Sequence, residues 1–172
     1  MITSENKKRK LPSYITEEEF FTILKTVRQP RHKLAFILAF HSGLRIAEIV
    51  ALQRDSIDLA GKRIFIRSGK GGKDRVVPLP KGFPHSYLSY IPIKCGIRAL
   101  QIRFKAAIIL AGITKPGLHF HSLRHSFAVR CMHQGIPLNT IQVLLGHENI
   151  STTSVYTRIN PQEALDNYER MW

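Results

Sequence analysis

The last third of the chain carries His121-Ser-Leu-Arg124-His125, then Leu-Gly-His147, then Tyr156 within Ser-Thr-Thr-Ser-Val-Tyr-Thr. Two histidines, a guanidinium and a phenol in that order all suit a single phosphate. Upstream, Arg45 lies in Ser-Gly-Leu-Arg-Ile-Ala-Glu and Lys70 in Ser-Gly-Lys-Gly-Gly-Lys-Asp-Arg. Attack on a phosphodiester requires a nucleophile, positive charge against the non-bridging oxygens, and an acid for the departing alkoxide. These side chains supply all three.

Arginine suits the second task because its planar fork donates to two phosphate oxygens and keeps its charge. Taken singly, Arg45 reads as a helix-start residue pairing with Glu48 at i, i+3, and Arg124 as an ordinary surface arginine. His121, three residues before Arg124 and so on the same helical face, raises both. Lys70 sits on a glycine-flanked tip where backbone approaches a ligand closely. With an ordinary pKa of about 10.4, it is protonated at neutral pH and can deliver a proton to a leaving hydroxyl. Lys73, on the same tip, and Arg75 beside it are assigned to contacts with a DNA backbone. His147, after Gly146 at a helix end, is placed to donate to a phosphate oxygen or simply to face the helix dipole. The Tyr156 phenol has an ordinary pKa of about 10, so clustered cations must lower it or a base must take its proton.

His121 and His125, at i, i+4, are also spaced for a metal. No Glu stands between them in the zincin manner, and Cys131 and His133 fall at other helical angles. A metal site therefore ranks below the phosphate reading, and His125 is assigned to packing behind the site. His32, His41, His85, His119 and His133 receive no role.

The elements that must hold these groups follow from periodicity. Thr16 with Glu19 forms a capping box ahead of an apolar face made by Phe20, Ile23, Leu24 and Val27. A second helix is expected from Arg31 to Ser42, stopped by Gly43, and a third from Arg45 to Leu52. Ile57 and Leu59, Ile64 and Ile66, and Val77 and Leu79 then read as three short antiparallel strands, with Lys70 and Lys73 at the tip between the last two. Pro78, Pro80, Pro84 and Pro92 exclude a long helix before Cys95. Helices are expected from Arg98 to Gly112, from His121 to Gly135, and from Pro137 to Gly146. Short helical turns over Ser151 to Arg158 precede a terminal helix capped by Asn160-Pro161, with Leu165, Tyr168 and Trp172 on its apolar stripe. The fold class is mostly α with a small three-stranded antiparallel β-sheet (α+β). Residues 1–12 read as a basic arm or linker containing Lys7, Lys8, Arg9 and Lys10, which suit a phosphate backbone. Residues 13–172 read as one domain.

Against 12 Asp and Glu stand 26 Lys and Arg, a formal charge of +14 in 172 residues. So much self-repulsion points to a polyanionic partner, double-stranded DNA before a membrane surface. The longest apolar runs are too short to span a bilayer, and no apolar signal segment follows the basic start. Cys95 and Cys131 form no framework and fit a reducing cytoplasm, at the nucleoid in a prokaryote.

Arg45, Lys70, His121-x-x-Arg124, His147 and Tyr156, in this chain order, resemble the catalytic signature of the tyrosine recombinases, the phage-integrase-like (Xer-like) site-specific recombinases. Val76-Val77-Pro78-Leu79 and Leu110-Ala111-Gly112-Ile113 are similar too, and the resemblance runs from Leu11 to the C-terminus. It implies attack by Tyr156 to leave a 3′-phosphotyrosyl link and a free 5′-hydroxyl. It implies that Lys70 protonates that leaving oxygen, that Arg45 and Arg124 clamp the phosphate, and that His121 and His147 assist. It further implies no cofactor, neither metal nor ATP, and a homotetramer on DNA joined through the C-terminal helix, the outcome being integration, excision or dimer resolution. The usual N-terminal DNA-clamping domain has no counterpart here. The alternatives are a type IB topoisomerase-like relaxing enzyme and a non-catalytic helix-turn-helix DNA binder built on Phe127 to Leu145.

Overall fold

The computed structural model of the chain describes residues 13–67 and 74–146. The basic arm, Lys70, Lys73, and all that follows Gly146, including His147, Tyr156 and the expected terminal helix, lie outside the described residues. Thr16 caps α1 (Glu17–Thr26): its hydroxyl accepts from the Glu19 N–H while the Glu19 carboxylate accepts from the Thr16 N–H, at 3.2 and 2.8 Å. The expected capping box is therefore present, and it turns Phe20 and Ile23 into the core.

Helix α2 (Pro30–Ser42) opens on a proline, whose missing N–H is no loss in a first turn. Its run from Leu34 to Phe40 is apolar on all sides, and a helix without a polar face must be enclosed. Leu34, Ala35, Phe36, Leu38, Ala39 and Phe40 are all fully buried. Phe36 meets Phe104 and Phe120 edge-on at 5.1 and 5.7 Å, and Phe40 stacks on Phe20 at 3.8 Å. The helix stops at Gly43, whose φ of 68° lies in the left-handed region.

After α3 (Ile46–Ala51) the period changes to two. Strands β1 (Ile57–Asp58), β2 (Arg63–Ile66) and β3 (Arg75–Pro78) pair antiparallel in that order, with Ile64 opposite Val77 and Ile66 opposite Arg75. The prolines that follow admit only a 3-10 turn over His85–Tyr90. Helices α4 (Ile97–Leu110), α5 (Phe120–His133) and α6 (Leu138–Leu145) complete the described chain, α6 ending on left-handed Gly146 at φ 61°. Phe127, Ala128 and Cys131 of α5 pack with Ile141 and Leu145 of α6 as a second apolar cluster. The helix, glycine turn and helix expected between Phe127 and Leu145 are thus there in shape. Their apolar faces are spent on each other and on the end of α2, where an added Cβ on Gly43 would meet both Phe127 and Leu145. Among the described residues no helix is long and apolar enough to cross a membrane.

Candidate active site

Gly43 ends α2, buried Leu44 follows, and Arg45 becomes the N-cap of α3 with extended backbone. Three residues on, Glu48 reaches back: its carboxylate accepts from the Arg45 N–H at 2.6 Å and from Arg45 Nη1 at 3.0 Å. This is the i, i+3 pairing anticipated for Arg45. It fixes the stem of the side chain while leaving it 40% exposed.

Glu48 carries a second, deeper partner. Arg75 gives it both terminal nitrogens, at 2.7 and 2.8 Å, and is only 6% exposed. Two-residue alternation explains the placement: Arg75 and Val77 share the face of β3 that looks into the protein, while Val76 faces out. The sequence assignment of Arg75 to a DNA contact took it for part of the exposed hairpin tip; its buried side chain is bound to protein groups instead. Burial alone would raise the Glu48 carboxyl, but hydrogen bonds from Arg75 and the Arg45 backbone, with the Arg75 charge, hold it below the usual carboxylate range.

From α5 comes Arg124, 2% exposed and far from the surface arginine that its neighbours in sequence suggest. Its Nη1 donates to the Gly43 carbonyl at 2.7 Å and its Nη2 to the Leu145 carbonyl. Arg75 Nε donates to the Leu144 carbonyl at 2.9 Å and Arg45 Nη2 to that of Gly146 at 3.0 Å. Three guanidinium groups from three elements therefore take three successive carbonyls at the C-terminus of α6. Those carbonyls have no partner within their own helix and sit at its negative end, so they are the natural anchor for clustered cations. Among the described residues one carboxylate, that of Glu48, is ion-paired within this cluster of three arginines, an excess of positive charge that favours an anion there.

His121 lies beside this cluster. Burial first, then the charges of Arg124, His119 and Arg45, hold its imidazole below the usual histidine range. The residue itself is exposed and able to hydrogen-bond an oxygen. Its ring meets that of His125 edge-on at 4.7 Å, which gives His125 the packing position expected of it. Among the described residues no three His, Cys, Asp or Glu side chains are arranged to hold a metal ion.

Of the six residues singled out for phosphate chemistry, Arg45, His121 and Arg124 converge. Lys70, His147 and Tyr156 lie outside the described residues, as do Lys7, Lys8, Arg9, Lys10 and Lys73. Glu48, expected as a partner of Arg45, and Arg75, expected as a DNA contact, together tie Arg45 to α6. Alternation along Arg75-Val76-Val77 was the available signal for the second, and the lone acid in Arg-Ile-Ala-Glu for the first.

The profile of the phage integrase family matches residues 13–95 and 94–163, stretches that contain Lys70, His147 and Tyr156. The chain belongs to that family. It is 33% identical over 168 residues to the tyrosine recombinase XerA of Thermococcus kodakarensis, covering 88% of this chain and 60% of the relative. Its fold superposes on the crystal structure of XerA recombinase with a TM-score of 0.77 at 24% identity, over 94% of this chain and 66% of that one. A second neighbour is the XerH site-specific recombinase bound to palindromic difH substrate in a post-cleavage complex, with TM-score 0.76, 24% identity, 96% of this chain and 55% of the other. The chain thus spans about three fifths of the length of the curated relatives it matches.

Proposed function

We propose that residues 13–172 form the catalytic domain of a site-specific DNA recombinase that cuts and rejoins strands through a 3′-phosphotyrosyl intermediate. The observation that carries this reading is the convergence of Arg45 and Arg124 on one helix end, immediately before His147 in the chain, with His121 beside them. A scissile phosphate there would bridge the guanidinium groups, which already lean on fixed backbone carbonyls and need no rearrangement as charge grows.

In this reading the Tyr156 oxygen attacks phosphorus and the bond to the 5′-oxygen breaks. Lys70 protonates the departing 5′-oxygen, and the phenol proton passes to a histidine, His121 or His147. An incoming 5′-hydroxyl reverses these steps and regenerates the phenol. Bond energy is conserved in the phosphotyrosyl link, so the cycle requires neither ATP nor metal. Double-stranded DNA is the substrate in this reading, and the XerH neighbour was solved bound to palindromic difH substrate. Assembly as a tetramer through the C-terminal helix belongs to the same proposal, as does a place in the cytoplasm, at the nucleoid in a prokaryote. Lys7, Lys8, Arg9, Lys10 and Lys73 are proposed as backbone contacts.

The test uses nicked duplexes drawn from DNA flanking the reading frame, in which loss of a short fragment traps the covalent complex. A slow-migrating adduct from the intact chain and none from Tyr156→Phe is the expected result. An undiminished adduct from that variant would remove Tyr156 as nucleophile, and relaxation of supercoils without any joined product would make the enzyme a topoisomerase.

A further inference from the structure

A cavity of ≈ 310 Å³ lies at the opposite end of α2 from Gly43, lined by Arg31, Arg54, Lys94, Ser89, Tyr90 and Ile91 among others. Thirteen residues of helix separate the two ends, about 20 Å at 1.5 Å per residue. None of the lining residues is acidic. The ion-paired carboxylates are committed elsewhere: Glu17 to Arg130, Glu19 to Lys115, Glu48 to Arg45 and Arg75, Asp55 to Arg67, Asp58 to Arg63. Among the described residues Arg31, Arg54 and Lys94 have no ion pair.

The two arginines are nevertheless held. Arg54 Nε donates to the Ile91 carbonyl at 2.9 Å, and the side chain lines the cavity. Arg31 Nε donates to Gln29 Oε1 at 3.0 Å and its Nη1 to the Lys94 carbonyl at 3.4 Å. Both forks thus grip the same short segment, Ile91 to Lys94. The first turn of α2 adds to the field, for it has no acidic residue and Gln29 makes no side-chain cap. Adjacent His32 registers that field: burial first, then Arg31 and Arg103, hold it below the usual histidine range. Concentrating unpaired cations at a helix N-terminus costs stability unless an anion joins them.

We infer that this cavity is a second anion site, built for phosphate groups and separate from the one around Arg45 and Arg124. Two arginine forks, an ammonium and the Tyr90 hydroxyl offer more donors than the two oxygens of a carboxylate can use, while the Ser89 hydroxyl already donates to the Ser86 carbonyl at 2.7 Å. Phosphate, with more oxygens and more charge, matches them better. Its source is either the backbone of a DNA segment beyond the scissile region or a free oligophosphate such as a nucleotide tail. The inference requires no strand cleavage and stands apart from the recombinase reading.

The experiment is a titration of the isotope-labelled full chain with inorganic pyrophosphate, followed by NMR at Arg31, Arg54 and Lys94. Saturable shifts are expected at these residues, and R31Q/R54Q should weaken binding by on the order of tenfold per lost fork. An unchanged thermal midpoint shows that this surface variant remains folded. Non-saturable shifts, shifts confined to Arg45 and Arg124, or undiminished binding by the variant would overturn the site. In a second arm, a short duplex that moves the same signals and competes with pyrophosphate identifies DNA backbone as the source. A duplex that leaves them still while pyrophosphate binds identifies a free oligophosphate. An acidic peptide that outcompetes pyrophosphate would overturn the phosphate assignment.

Discussion

Arg75 and Glu48 meet fork to fork, with Nη1 and Nη2 of the guanidinium 2.7 and 2.8 Å from the two carboxylate oxygens. The same carboxylate holds the backbone and side chain of Arg45, so one acid couples the sheet to the start of α3. Removing it would strand a buried charge. Glu48→Gln is expected to cost about 3 kcal/mol, the usual cost of breaking a buried pair from one side. It should also loosen the Arg45 side chain and backbone that the carboxylate holds. Urea denaturation of the variant checks the first effect, and a variant as stable as the parent would mean that water or another group already serves Arg75.

Acid should unfold the protein in two stages with distinct causes. His41 is pushed down to about 4, first by burial and then by Arg130, whose Nη1 lies 3.2 Å from its Nδ1. A histidine with a lower folded than unfolded value binds protons better when unfolded, so stability is full above about 6.5 and falls as pH drops towards 4. Discounted for partial exposure, the loss is on the order of 1–2 kcal/mol. Glu48 is the opposite type of group. Its lowered folded value gives stability that is present above the ordinary 4.5 and is lost as pH falls below it. Denaturation midpoints measured across this range in His41→Gln should lose the first decline and keep the second. A parental profile in that variant would exonerate His41.

The sequence reading reached different depths for different residues, for physical reasons. Gly43, the Thr16–Glu19 box and the two-residue alternation of Ile64 and Ile66 are local signals, and each element they announce is present. Arg45, His121 and Arg124 were legible as a set because chemistry demands several cations around one phosphate. What was not legible was depth. A guanidinium is ordinarily exposed, and nothing local tells Arg124 at 2% exposure from a surface arginine. Its burial depends on carbonyls of Gly43 and Leu145, residues 81 and 21 positions away in the chain. Arg75 was misplaced for the same reason, since its partners on α3 and α6 are visible only once the chain has closed.

Gly43 supplies a backbone test of this closure. Its φ of 68° is unfavourable for any residue with a Cβ, and an added Cβ would stand 2.6 Å from Phe127 Cδ1. The strain and the clash together should make Gly43→Ala destabilising by about 2–4 kcal/mol. Thermal unfolding measures it. A midpoint unchanged from the parent would show that Phe127 yields freely and that α5 is not locked against α2.

Arg124 offers the sharpest separation of charge from shape. It joins the C-terminal carbonyls of α2 and α6 with one rigid fork, a task that an ammonium on a flexible stem performs poorly. Arg124→Lys keeps the charge, so purely electrostatic attraction of a phosphate would survive in it. If the fork is what matters, the lysine variant should lose about 2 kcal/mol of stability, since buried carbonyls are left without donors. Amide exchange should then quicken in α6 before it does in α4, because only the former end is untied. Covalent adduct formation on the nicked duplex should fall with it, as Leu145 at the end of α6 leaves its anchor. Exchange that quickens equally in both helices would instead mark a global loss of stability, and the coupling of α6 to the arginine cluster would have to be abandoned.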